Sequence, residues 1–397
     1  MNKYVIILLF LLFNMFFGSA SYNPVIPGIL LLGIGLVGLW VNRVFEYKKI
    51  FWLYFVGIFC SLVSCKYFRG QSFIESLKVL PYFFGICFYF LLKNKKVTPQ
   101  IVEKSLLLLI WIFDVLYIAQ YYLLPYGYNF LGIDDWMIKE GSELGGTRLR
   151  VMSSGLYIVG LFYGLSKWYI TKQKKYLPLF LLGVFIMLLT GYRQFIASLF
   201  VTIFFMFYIF DRKITAKQWK YMVGFSFIAF FLLMIPAVQE KILGMQERNA
   251  LGQNLTDDDY IRVAQFDFFT NDYFTNGVEY FFGSGIPFPN SSFGKWFENY
   301  HLLGMQYVDW GIIGVSWVLG ILTAVAIVLF FLKGIRLKVD KEHKYLCLYL
   351  FFLLTTCITN WEMFRNGNFL VHAIVLYLIE QAHIKYKSNQ LANVSQK

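Results

Sequence analysis

The chain has 397 residues, of which 58% are hydrophobic, 21% aromatic and only 15% charged. A soluble domain carries about 25% charged residues and could not hide this much apolar surface in one core, so the composition excludes an ordinary water-soluble enzyme. The net charge of +13 does not form a single basic patch but falls in short clusters between apolar runs, which argues against nucleic-acid binding.

Apolar runs predict an all-α polytopic membrane protein, with spans near 4–20, 25–41, 51–64, 78–92, 105–124, 151–170, 176–190, 194–210, 221–236, 309–332, 345–359 and 369–381. The period-2 alternation of a membrane β-barrel is absent. The first run, Tyr4–Phe17, could pass for a signal peptide ending near Gly18-Ser19-Ala20. Another span follows at once, which favours an uncleaved helix. Cys60, Cys65, Cys87, Cys347 and Cys357 form no C-x-x-C pair and read as small buried hydrophobes, without a disulfide framework or a zinc site. Asp114, inside the fifth run, reads either as a proton site or as a residue hydrogen-bonded to a neighbouring helix.

Orientation follows from lysine and arginine. Most of them fall in alternate connections, such as Arg43–Lys49, Lys93–Lys104, Lys167–Lys175, Arg212–Lys220 and Lys333–Lys344. The positive-inside rule then puts about twelve spans in one integral membrane domain covering 1–397, with both termini cytoplasmic. The external segments are 21–24, 65–77, 125–150, the tight Gly191-Tyr192-Arg193 turn, 237–308 and 360–368. The two long ones, 125–150 and above all 237–308, hold most of the polar chemistry, and long loops of this kind are usually functional.

Arginine stands out on that side, at Arg148, Arg150, Arg193, Arg248, Arg262 and Arg365, whereas lysine dominates inside. Arginine in place of lysine suits bidentate recognition of phosphate or carboxylate; headgroup contact or pairing with Asp257, Asp258 and Asp259 is the plainer reading. Arg193 sits between two apolar runs with almost no loop, at a depth where a charge faces a cavity or a partner, or else snorkels. Thr256 followed by three acids predicts a helix start, with Arg262 on a helix whose Val263 and Phe266 pack down on the bundle. Further on, Gly283-Ser284-Gly285-Ile286-Pro287 predicts a shaped turn. Phe293, Trp296, Phe297 and Tyr300 then follow helical spacing as one aromatic face. Glu298 and His301 share another face of that helix. A carboxylate beside an imidazole is a plausible general-base pair, and interface hydrogen bonding is its bland alternative.

Taken in order, these pieces resemble the O-antigen polymerase and O-antigen ligase superfamily. The parts are Gly191-Tyr192-Arg193 at a span end, the Arg262 helix, the Gly283-Ser284-Gly285 turn, Glu298–His301, and Asp309-x-Gly-x-x-Gly314 leading into a span. Arg148–Ser154 is similar to the basic motif of the family's first large external loop. The family places His-Asn ahead of the last helix, where this chain has Asn299-Tyr300-His301. The resemblance covers about 125–315 and implies a metal-independent glycosyltransferase, without a cofactor, on the outer face of a bacterial cytoplasmic membrane. Its donor would be an oligosaccharide on undecaprenyl diphosphate, and its acceptor a second lipid-linked repeat unit for a polymerase or a lipid core for a ligase. In that reading Arg148, Arg150, Arg193 and Arg262 bind the diphosphate, Glu298 or His301 is the base, and a chain-length regulator is a possible partner besides the membrane lipids. A flippase or transporter of the same lipid-linked oligosaccharide is the rival reading.

Overall fold

The computed structural model describes residues 2–14, 25–129, 131, 138–139, 148–149, 151–211, 261–358, 360–365 and 367–395. The predicted span 221–236, the first part of the 237–308 loop and most of the 125–150 loop lie outside them. The described chain is helical almost throughout. The helices are α1 (Lys3–Asn14), α2 (Val25–Val41), α3 (Lys48–Arg69), α4 (Phe73–Val79), α5 (Phe88–Asn94), α6 (Pro99–Leu123), α7 (Gly155–Thr171) and α8 (Leu177–Thr190). Then come α9 (Arg193–Asp211), α10 (Ile261–Asp267), α11 (Gly277–Phe282), α12 (Ser292–Leu302), α13 (Gly311–Arg336), α14 (Lys344–Thr356) and α15 (Asn368–Ser395). Among the described residues, extended chain pairs in a two-residue antiparallel contact, Ile138 with Leu149 and Lys139 with Arg148.

Local chemistry sets several of these ends. Ser72 and Glu75 form a reciprocal capping box at α4, each satisfying an orphan N–H of the other's turn. Pro99 begins α6 where a missing N–H costs nothing. Gly70 and Gly191 close α3 and α8 in the left-handed conformation that a Cβ would resist.

By length and composition, two helices among the described residues could cross a membrane: α3 and the stretch Tyr307–Arg336 that contains α13. A third is the bent pair Phe73–Val79 and Phe83–Asn94, which turns by 75° around Pro81. The predicted count of twelve is therefore not reproduced by this measure. The predicted span 78–92 is broken, and those at 4–20, 25–41 and 194–210 correspond to shorter apolar helices. The spans at 176–190 and 345–359 coincide with helices of 14 and 13 residues, below the ~17–25 of a full crossing.

Packing is organised around two helices. α13 lies along α3, and the crossing is close because Gly57 has no side chain: a Cβ there would meet Thr323 Oγ1 at 2.5 Å and its backbone N at 2.7 Å. Small residues at helix crossings let backbones approach in this way. α15 runs through the interior, wholly buried from Asn368 to Glu380, against α5, α6, α7 and α14. α2 packs on α5 through Gly38, and on Cys87 just before it through Gly35, while α7 packs on α8 through Gly164.

Two departures from regular helix position the site. α13 breaks at Gly320, whose φ of 81° and ψ of 160° belong almost to glycine alone. The turn Gly283-Ser284-Gly285 fills that break: Ser284 N–H donates to Trp317 O at 3.0 Å and Gly285 N–H to Val318 O at 2.8 Å. Ser61 Oγ on α3 donates to the same Val318 carbonyl at 2.8 Å. The predicted shaped turn is thus a plug in the side of a long apolar helix.

Candidate functional site

Residues 261–310 form a cap over the end of the bundle where α3 finishes, with its own aromatic cluster of Phe268, Phe269, Tyr273, Phe293, Phe297 and Trp317. The aromatic face predicted for α12 is present. Phe293 and Phe297 are buried, Trp296 lies 4.9 Å from Tyr300 ring to ring, and Tyr300 stacks on Phe268 at 4.7 Å. Beyond α12, Phe269 stacks on Trp317 of α13 at 4.6 Å, which ties the cap to the bundle.

At the centre of the cap is Arg69, the last residue of α3. Its Nε donates to Glu279 Oε1 at 2.6 Å and one Nη to Oε2 at 3.1 Å, a two-pronged pair in which the side chains are 5% and 0% exposed. The same Nη donates to the Tyr273 carbonyl. The rings of Tyr273, Phe293 and Trp296 lie 5.0, 5.0 and 5.2 Å from the guanidinium carbon, near enough for cation–π attraction. Glu279 is completed by Thr275, which donates its N–H at 2.7 Å and its hydroxyl at 2.8 Å. Next to it, buried Gln71 takes the Phe288 N–H at 2.8 Å and the Ser291 hydroxyl at 3.0 Å, and donates to Ile286 O at 3.0 Å. Segment 65–77 and the cap are therefore one body. Arg69, Gln71 and Glu279 were not among the residues the sequence singled out.

The cap bears an open cavity of about 280 Å³. Its wall is apolar at Pro287, Pro289, Phe297, Tyr307 and Val308, and polar at Glu298, His301 and Gln306. Both predicted catalytic residues thus face one cavity, exposed on the free side of α12. They are neighbours without a direct link: among the described residues no hydrogen bond joins carboxylate to imidazole, so the expected tautomer-fixing contact is not made here. Tyr307 stands 5.8 Å from Phe297 and 5.5 Å from Trp361, which packs the cavity wall against the turn before Arg365.

Of the predicted phosphate-binding arginines, only Arg262 has its side chain among the described ones. Arg262 is exposed on α10 and is not among the cavity's lining residues. The helix is oriented otherwise than predicted: Val263 is 50% exposed and Phe266 only partly covered by Trp310, while the buried anchor is Gln265. Gln265 donates to Gly304 O at 2.7 Å and accepts from Trp310 Nε1 at 3.2 Å, and polar contacts outweigh the apolar pattern that suggested the opposite face. Arg193 is the first residue of α9, beside the Gln194 amide that donates to Thr356 O at 2.9 Å; its side chain, like that of Arg148, lies outside the description. Arg150, Arg248 and the acidic run 257–259 fall outside the described residues. The chain after Arg148 leads into a buried polar node, where Asn368 accepts Gly155 N–H at 2.7 Å and donates to Ser154 Oγ at 3.1 Å. Asp114 is fully buried on α6, and among the described residues neither of its oxygens has the hydrogen-bond partner expected from a neighbouring helix. Among those residues no three His, Cys, Asp or Glu side chains converge as a metal site.

A cavity lined by aromatic rings, a carboxylate, an imidazole and an amide can hold a ring whose faces are apolar and whose edge carries hydroxyls. Comparison with known proteins gives no match to a protein family, a curated protein or a solved structure.

Proposed function

We propose that the chain is a glycosyltransferase of a bacterial cytoplasmic membrane that joins polyprenyl-diphosphate-linked oligosaccharide repeat units into a surface polysaccharide. The observation that carries this reading is the cavity lined by Glu298 and His301 together with Phe297 and Tyr307. It has room for a monosaccharide-sized group, and its polar edge holds two groups able to accept a proton. In the reaction an acceptor sugar hydroxyl loses its proton to Glu298 or His301 while its oxygen attacks the anomeric carbon of the donor. The bond from that carbon to the diphosphate oxygen breaks, and its electron pair leaves with the lipid diphosphate. Arg262, exposed on α10 of the cap, and Arg193, at the start of α9, are the groups assigned to steady that developing charge. The full arrangement in this reading has about twelve spans, both termini in the cytoplasm and the cap outside, with the shorter helices completed at the interfaces by their flanking Tyr, Trp and Lys.

The test is transfer without a membrane to cross. Purified protein in detergent should lengthen a lipid-linked repeat unit with no nucleotide sugar added, because the energy resides in the glycosyl diphosphate bond. A unit of unchanged length in detergent, together with its movement across the bilayer of proteoliposomes, would replace this reading with a flippase.

A further inference from the structure

α11 is arranged the wrong way round for a helix in water. Of its six residues only Glu279 is buried, while Val278, Tyr280, Phe281 and Phe282 are exposed, Phe281 by 64%. A water-facing helix hides its aromatic residues and shows its carboxylate. The inversion needs an apolar medium outside and a charged partner inside, and Arg69 is that partner.

The depth of α11 can be read along α3. Glu279 meets Arg69 at the end of that helix, Gly285 packs on Cys65 one turn earlier, and Val318 O, which takes the Gly285 N–H, also takes Ser61 Oγ–H. At 1.5 Å per residue Ser61 lies about 12 Å below Arg69 along the helix. The chain therefore enters at Asn276, descends through α11, turns at Gly283–Gly285, and returns to the level of Gln71 at Phe288. The non-helical backbone at the bottom is not left bare: its N–H groups pair with α13 carbonyls, the condition for irregular chain at membrane depth. The backbone of Phe281 and Phe282 also abuts Gly320, so their side chains continue the exposed apolar stripe of Ile321, Val325 and Leu329 on α13.

We propose that residues 276–288 form a re-entrant segment in the leaflet on the cap's side, with Val278 and Phe281 against lipid acyl chains. The proposal rests on α3 and α13 crossing a membrane, not on the transfer chemistry. It gives the cavity a fixed height, since Pro287 and Pro289 of its wall follow directly on the climb out of the leaflet.

The experiment places single nitroxides at Phe281→Cys and Val278→Cys, in a Cys60→Ala background reconstituted into bilayers. Collision rates with oxygen, which concentrates in lipid, are compared with those of a water-soluble nickel complex. Phe59→Cys, on the exposed face of α3, and Ser292→Cys, exposed at the start of α12, are the reference sites. Cys65 staying unreactive verifies that each variant keeps its cap. The expected result is several-fold more oxygen than nickel collision at 278 and 281, as at Phe59, with the reverse at Ser292. Nickel access at 281 with a lipid signature at Phe59 overturns the re-entrant segment and leaves the membrane reading standing. Nickel access at both sites overturns the membrane reading as well. Low access to both probes at 281 means that protein covers this face, and that too overturns the proposal.

Discussion

Replacing Arg69 by methionine keeps most of the side-chain bulk among Tyr273, Phe293 and Trp296 but leaves the Glu279 carboxylate buried without its cation. Removing one partner of a buried ion pair costs about 3–5 kcal/mol, and both side chains here are almost fully covered, so solvent does little to soften it. Cys65, fully buried in the cap cluster, reports the cost. If cap opening is fast and thiol labelling slow, the labelling rate follows the open population, and each ~1.4 kcal/mol is tenfold. Arg69→Met should therefore speed Cys65 modification by about two to three and a half orders of magnitude. Cys87 and Cys347, buried in the bundle, should keep their slow rates. Adding Glu279→Gln removes the stranded charge while its amide oxygen still accepts from Thr275, and most of the protection should return. Unchanged Cys65 labelling in Arg69→Met, or a double variant as labile as the single one, would refute the claim that the ion pair holds the cap closed.

Four further outcomes are expected. Glu298→Gln and His301→Asn should leave protein abundance unchanged, and the one that removes the base should lower transfer by about 10²–10⁴-fold in a polymer-ladder assay. Arg262→Ala should stay folded, since the side chain is exposed, yet lose transfer, with Arg262→Lys restoring little because a point charge cannot copy the guanidinium fork. Gly320→Ala should destroy cap protection of Cys65, because a Cβ there lies 2.6 Å from the Phe282 carbonyl and needs a glycine-only backbone; Gly33→Ala, with open space around it, should be neutral or slightly stabilising. Burial holds the His343 imidazole below its usual range, against the pull of Glu103. Its neutral form is thus the folded one, so stability should be full above about pH 6.5 and fall as the pH drops further. His343→Gln should flatten that slope in thermal unfolding scans.

What could be read from the sequence was what lies within one helix or one turn. The aromatic face of α12 is fixed by its 3.6-residue period, and Glu298 with His301 on another face, bordering it at Phe297, followed from the same geometry, so both reached the cavity. The Gly283-Ser284-Gly285 turn was legible as a turn, but its purpose was not, because Gly320 in an apolar run looks like any small residue at a crossing. Arg69 and Glu279 are 210 residues apart, and no local pattern links them. The face of α10 was misjudged because a glutamine bonded to Gly304 O, Asp309 and Trp310 outcompeted Val263 for the interior. The span count suffered in the same way: composition marks apolar runs, whereas helix length depends on breaks such as the one around Pro81.

The plug in α13 also sets an order of events during synthesis. Its two donors sit in the cap, yet both acceptors belong to a helix that leaves the ribosome only after the whole cap has been made. At about 5–20 residues per second, the stretch from Gly285 to Gly320 takes on the order of seconds to translate. For that interval Phe281, Phe282 and the Arg69 cage have no α13 to close on, and the unpaired glycine turn cannot settle at depth. The cap should therefore assemble last, as a latch that closes when α13 is laid against α3, and a chain stopped before Gly320 should expose Cys65 to thiol reagents that the finished protein excludes.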